Sequence, residues 1–180
     1  MATFNPAFSR GMPWFNAESD AGKAPDEPRA AFRKWSLSAS FQHPVSGNLY
    51  WLTSLYGQWS PDRLYGSERM SLGGESSVRG FKEQYINGDN GGYWRNELNY
   101  PLFSLPFIGD VTGTLALDGG WLHRDSLDRY AAGTLWGGAL GLSASGRWLS
   151  QQISVGTPLK YPDWLGPDHV SVNWRVSVLF

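Results

Sequence analysis

Cysteine is missing from this chain of 180 residues, which excludes disulfides, thiolate metal sites and a cysteine nucleophile. A cysteine-free chain fits an oxidising compartment. Charge is also scarce: charged residues make up 17% and the formal net charge is -1, so bulk electrostatics draws neither nucleic acid nor an acidic membrane surface. No apolar run approaches the ~20 residues of a membrane helix. The N-terminus lacks the basic, apolar and small-residue zones of a signal peptide and enters patterned sequence at once, as expected of a mature or excised piece of something longer.

Aromatic residues and glycine are plentiful. Ten Trp, eight Tyr and nine Phe accompany 22 Gly, yet mean hydropathy is -0.36, so the rings must alternate with polar residues. The C-terminus shows how. In VSVNWRVSVLF, Val170, Val172, Trp174, Val176, Val178 and Phe180 share one face, opposed by Ser171, Asn173, Arg175 and Ser177. Period two over eleven residues predicts a strand with one apolar face, as long as the ~9–11 residues of a tilted membrane-spanning strand.

The same alternation recurs upstream. Residues 35–42 place Trp35, Leu37, Ala39 and Phe41 against Ser36, Ser38, Ser40 and Gln42; Ser46-Gly47-Asn48 then turns the chain into a partner strand at 48–60. Further candidates are residues 2–15, 93–102, 111–121, 133–146 and 148–159. Eight strands and no helix predict an all-β chain, an antiparallel transmembrane β-barrel in one unit spanning 1–180. Residues 16–31 are an exposed loop, and 61–92 form a long hairpin loop. Aromatics near strand ends suit the two membrane interfaces. A soluble β-sandwich or lipocalin-like barrel also alternates. Its strands are shorter, however, and its polar faces richer in Lys and Glu than these rows of Ser, Thr, Gly and Asn.

Chemistry is sparse. His43, His123 and His169 are isolated, without the spacing of a metal site. Asp168-His169 has no nucleophile elbow to serve. Asn87 to Gly92 lacks the spaced acids and closing glutamate of a calcium loop, and the glycines of 137–141 precede no helix that would make a dinucleotide site. No metal, cofactor or catalytic set is expected. Ten tryptophans also fit a soluble carbohydrate-binding sandwich, although interface belts explain them more simply. One polar relation stands out. Asp118 lies on the non-lipid face of a strand lined by Thr and Ala, while Arg79 is the only cation of SLGGESSVRGF, residues 71–81. A charge inside a barrel wall needs a partner, and a bidentate arginine–carboxylate pair is the strong form. Independent solvation of the two is the plain alternative.

The motifs resemble a known family. Leu72-Gly73-Gly74, the tetrad Val78-Arg79-Gly80-Phe81, Gly88-Asp89-Gly91, Arg95-Glu97-Leu98 and Leu117-Asp118-Gly119-Gly120 are similar to those of two-partner-secretion transporters. These form the hemolysin-activator/filamentous-hemagglutinin transporter family within the Omp85 superfamily. The resemblance implies that Arg79 sits at the tip of a loop folded into the lumen and pairs with Asp118. Gly80 would give the tight backbone and Phe81 would pack on the wall. It also implies that Trp174, Val176, Val178 and Phe180 form the assembly signal read by the barrel assembly machinery. Such proteins sit in the bacterial outer membrane, contact its lipid and export a large unfolded exoprotein. Their barrels have about sixteen strands, preceded by a plug helix and two periplasmic POTRA domains. This chain supplies eight strands, so the fragment alone is expected to be inactive. A closed eight-stranded barrel is the expected form of the isolated chain, an open half-wall the other. A structural or adhesion barrel without transport is the remaining reading.

Overall fold

A computed structural model describes residues 1–12, 14 and 18–178 of the chain. Its strands are β1 (Ala2–Arg10), β2 (Arg33–Ser46), β3 (Leu49–Trp59), β4 (Met70–Leu72), β5 (Ile86–Gly88), β6 (Gly91–Leu105), β7 (Gly109–Leu122), β8 (Gly133–Ser145), β9 (Leu149–Lys160) and β10 (Ser171–Val178). The eight long ones make a single antiparallel sheet in the order β1-β2-β3-β6-β7-β8-β9-β10, so each pairs with its neighbour in the chain. All eight candidate strands of the sequence are present, and a 3-10 turn at Arg129–Ala131 is the helical element among the described residues. Two strands went unseen. β4 and β5 pair Met70 with Gly88 and Leu72 with Ile86, forming the stem of a separate hairpin.

The sheet bears on two of the alternatives left by the sequence. A soluble sandwich needs two packed sheets, whereas here one sheet presents an apolar face to its surroundings. Leu115, Leu140 and Val155 are in register across β7, β8 and β9, and all three are exposed. Of the closed barrel and the open half-wall, closure is not shown: among the described residues no ladder joins β1 to β10. The inner face bears on the same choice. An eight-stranded barrel encloses little more than its own side chains, but this wall curves around the residues between β3 and β6.

Connections of unequal length set the orientation. Residues 11–32, 60–90, 123–132 and 161–170 join strands at one end of the sheet, and 47–48, 106–108 and 146–148 at the other. Outer-membrane barrels keep short turns on the periplasmic side and long loops outside. Aromatics mark both rims. Phe8, Trp35 and Trp59 follow one another at the long-loop end, with ring centroids 4.9 and 5.0 Å apart. Phe103, Phe107 and Trp148 stand exposed near the short turns.

The outer face carries a direct prediction. Leu140, at mid-strand, is to be replaced by arginine in the full-length protein in lipid bilayers. We expect a loss of about 2–4 kcal/mol in chemical unfolding. Ser143→Arg, on the opposite face of β8, is expected to cost far less.

The buried apolar side chains lie elsewhere than in the sheet's outer face. Met70, Leu72, Val78, Phe81 and Ile86 of the 61–92 segment pack with Leu122, Leu135 and Leu165, flanked by Tyr56 and Tyr93. A segment rich in serine and glycine thus supplies most of a compact core between itself and the wall. Met70, Leu72 and Ile86 come from the three-residue strands of the stem, and Val78 and Phe81 from the irregular tip between them.

Candidate functional site at the hairpin tip

Beyond the β4–β5 stem, residues 73–85 form the tip of the inward hairpin. Arg79 is 4% exposed and Asp118 0%, so both charges are withdrawn from water. The two side chains meet in a bidentate pair: Arg79 Nε donates to Asp118 Oδ2 at 2.6 Å and Nη2 to Oδ1 at 2.7 Å. The Arg79 backbone N–H adds a third bond to Oδ2 at 3.1 Å. One carboxylate therefore fixes both the side chain and the main chain at this position.

A second carboxylate completes the site. Arg79 Nη1 donates to Glu97 Oε1 at 2.8 Å, and Arg95 Nη2 lies 3.5 Å from the same oxygen. Arg95 Nη1 reaches back to the carbonyl of Ser76 at 3.2 Å. Two guanidinium groups thus face two carboxylates, which offsets the desolvation that an isolated buried charge would suffer. The arrangement follows from strand register. Arg95 stands directly across from Asp118, and Asp118 directly across from Gly137, so inward positions of β6, β7 and β8 converge under the tip. In the sequence, Glu97 stands out only within the Arg95-Glu97-Leu98 motif, with no role toward Arg79.

Glycines make the seat. A Cβ built on Gly137 would run into the carbonyl oxygen of Arg79, and one on Gly156 would lie 2.8 Å from the Gly80 nitrogen. Gly80 itself has φ +98°, and a side chain there would meet the Thr157 carbonyl group at 2.5 Å. The tip backbone therefore rests on bare wall backbone, a contact that needs glycine on both sides. Val78 and Phe81 flank Arg79 and point into the core, where the Phe81 ring meets Tyr161 edge-on at 6.3 Å.

The outer half of the segment is tied down by ions. Lys34 bonds Glu68 at 2.6 Å, Arg69 lies 3.0 Å from Asp89, and Arg63 pairs with Asp125. Among the other sequence candidates, Trp174, Val176 and Val178 stand exposed on the outward face of β10. Phe180 lies outside the described residues. The three histidines fall in separate places: His43 stacks on Phe41, His123 bonds Asn90, and the His169 carbonyl accepts from Thr157. The geometry at the tip is that of a structural fastening, with charge pairing and backbone contact in place of a nucleophile or an acid–base pair.

One antiparallel sheet with an apolar exterior, aromatic rims, long loops at one end and a hairpin sealed against its inner face defines the wall of an outer-membrane β-barrel. The chain belongs to the haemolysin secretion/activation protein family ShlB/FhaC/HecB, whose family model matches residues 1–144. It is 63% identical over all 180 residues to the outer membrane transporter CdiB of Escherichia coli, covering 31% of that protein. The outer membrane transporter CdiB of Dickeya dadantii is 54% identical over the whole chain, which spans 32% of it. The hemolysin transporter protein ShlB of Serratia marcescens is 37% identical over 96% of the chain and 28% of that protein. The solved structure of CdiB from Escherichia coli superposes with a TM-score of 0.93 at 64% identity, over 98% of this chain and 33% of that one. CdiB from Acinetobacter baumannii gives a TM-score of 0.70 at 25% identity, over 82% of this chain and 27% of that one. The chain thus spans about a third of the length of the relatives it matches, and its strands belong in the outer membrane.

Proposed function

We propose that this chain is the C-terminal part of the barrel of a two-partner-secretion pore, which exports a large unfolded exoprotein across the outer membrane. The observation that carries the reading is the inward hairpin, seated on the wall through Arg79, Asp118 and Glu97. A buried fastening inside a barrel wall serves a pore whose lumen must be occupied in a defined way. It has no use in an adhesion barrel presenting its loops outward. In this reading Arg79 and Asp118 hold the hairpin in its working position, Gly80 permits close approach, and Val78 and Phe81 fill the space beside it. Lipid covers the apolar exterior. The barrel assembly machinery reads the segment of β10 and beyond through Trp174, Val176, Val178 and Phe180.

The isolated chain is expected to be inactive in export, because the free edges of β1 and β10 leave backbone groups that a bilayer does not satisfy. The test is an exchange. Grafted into the Escherichia coli relative in place of its corresponding segment, the chain should support export of that transporter's partner at levels near the parent's. A correctly inserted, heat-modifiable chimera that exports nothing would instead favour a structural barrel.

A further inference from the structure

A second polar contact joins the hairpin to the wall, far along the sheet from Asp118. Glu75 sits in the same tip, four residues before Arg79. Its Oε1 accepts from Asn173 Nδ2 at 2.9 Å, and its Oε2 accepts from Ser154 Oγ at 3.2 Å. Ser154 is on β9 and Asn173 on β10, where the two residues are paired in register. Both point inward from strands whose alternate residues, Ile153, Val155, Val172 and Trp174, are exposed outward. The tip is therefore held by charges of opposite sign. The cationic Arg79 engages carboxylates of β6 and β7, while the anionic Glu75 engages neutral donors of β9 and β10.

We infer that Glu75 is a positioning residue, a second latch that fastens the hairpin to the last strand and couples the hairpin's position to β10. Several observations converge. Glu75 is partly buried with both oxygens bonded, and Ser154 is 6% exposed. The wall between the two latches is the glycine seat, where Gly156 meets Gly80. A tip held at one end only could pivot about the Arg79 pair; held at both ends, it spans β6 to β10 and cannot. Since β10 is the edge of this sheet, any partner strand that pairs with it changes the strand carrying one latch. The consequence for export rests on the pore reading above, but the latch itself does not.

The test reads hairpin position without reference to export. In the full-length protein, a nitroxide is attached at Ser76→Cys, an exposed tip position, and the fraction of mobile spectrum is measured in liposomes. Hydrogen bonds to a charged group are worth enough that Glu75→Ala and Asn173→Ala should each raise the ratio of mobile to immobile label about tenfold. Combining them should add little, because both remove the same contact. Asn173→Asp, which faces Glu75 with a like charge, should release the tip further. The isosteric swap E75Q/N173D restores a donor opposite an acceptor and should return the label to its immobile state. Heat-modifiability monitors folding of each variant. Unchanged mobility in the single variants, full additivity in the double, or a swap as mobile as N173D alone would overturn the proposal. A protein with the latch present but no export would instead count against the pore reading.

Discussion

Replacing Asp118 by alanine in the full-length protein is expected to free the hairpin from the wall. The carboxylate accepts three bonds from Arg79 at 2.6–3.1 Å and is fully buried. Removing it leaves a guanidinium in the wall with Glu97 as its remaining counterion among the described residues, and breaking a buried pair from one side costs about 3–5 kcal/mol. An equilibrium between seated and released hairpin should then shift by a hundredfold or more. Protease sensitivity of residues 73–85 should rise and export should fall steeply, while the barrel itself stays folded. Arg79→Ala should act in the same direction. Exchanging the two residues should not restore the parent, because an aspartate at position 79 would face Glu97. Adding Glu97→Gln to the exchange should recover part of the loss. Full activity of the simple exchange would argue against Glu97 as a member of the site.

The second large effect belongs to a residue with no side chain. Gly137→Ala places a methyl group where the Arg79 carbonyl oxygen now lies, and that obstacle is backbone, which cannot rotate away. The tip must lift, stretching the bonds to Asp118. Overpacking of this kind costs about 1–3 kcal/mol, concentrated here on the hairpin rather than the sheet. The neighbouring Gly138 is the control. Its Cβ would meet nothing nearer than 3.6 Å, so Gly138→Ala should leave both hairpin and export unchanged. Equal effects from the two alanines would mean that glycine serves the strand and not the seat.

Much of this architecture was legible in the sequence. Period two in segments such as VSVNWRVSV fixes which side chains face outward, and a sheet with one apolar face realises that pattern directly. The inward pair was also accessible, because a lone aspartate on a strand of Thr and Ala demands an explanation. What escaped detection has a common cause. Val78 and Phe81 are buried by an irregular backbone, so no periodicity announces them. The β4–β5 stem is three residues on each side, too short for alternation to register. Gly137 and Gly156 matter for what they lack, and their role depends on a segment 58 or more residues earlier in the chain. Glu75 binds partners 79 and 98 residues away, joined to it only once the sheet is assembled.

The central claim is that residues 61–92 lie seated against the inner wall. Leu72 and Gly120 test it most directly, since a Cβ on Gly120 would lie against the Leu72 side chain. Cysteines replace both residues in the full-length protein, with any other cysteine removed; this 180-residue segment contributes none. In intact cells under mild oxidation, the pair should form a disulfide in most molecules, whereas Leu72→Cys paired with Ser143→Cys should not. Both cysteines staying reduced, with the one at position 72 readily modified by a membrane-impermeant thiol reagent from outside, would contradict the account.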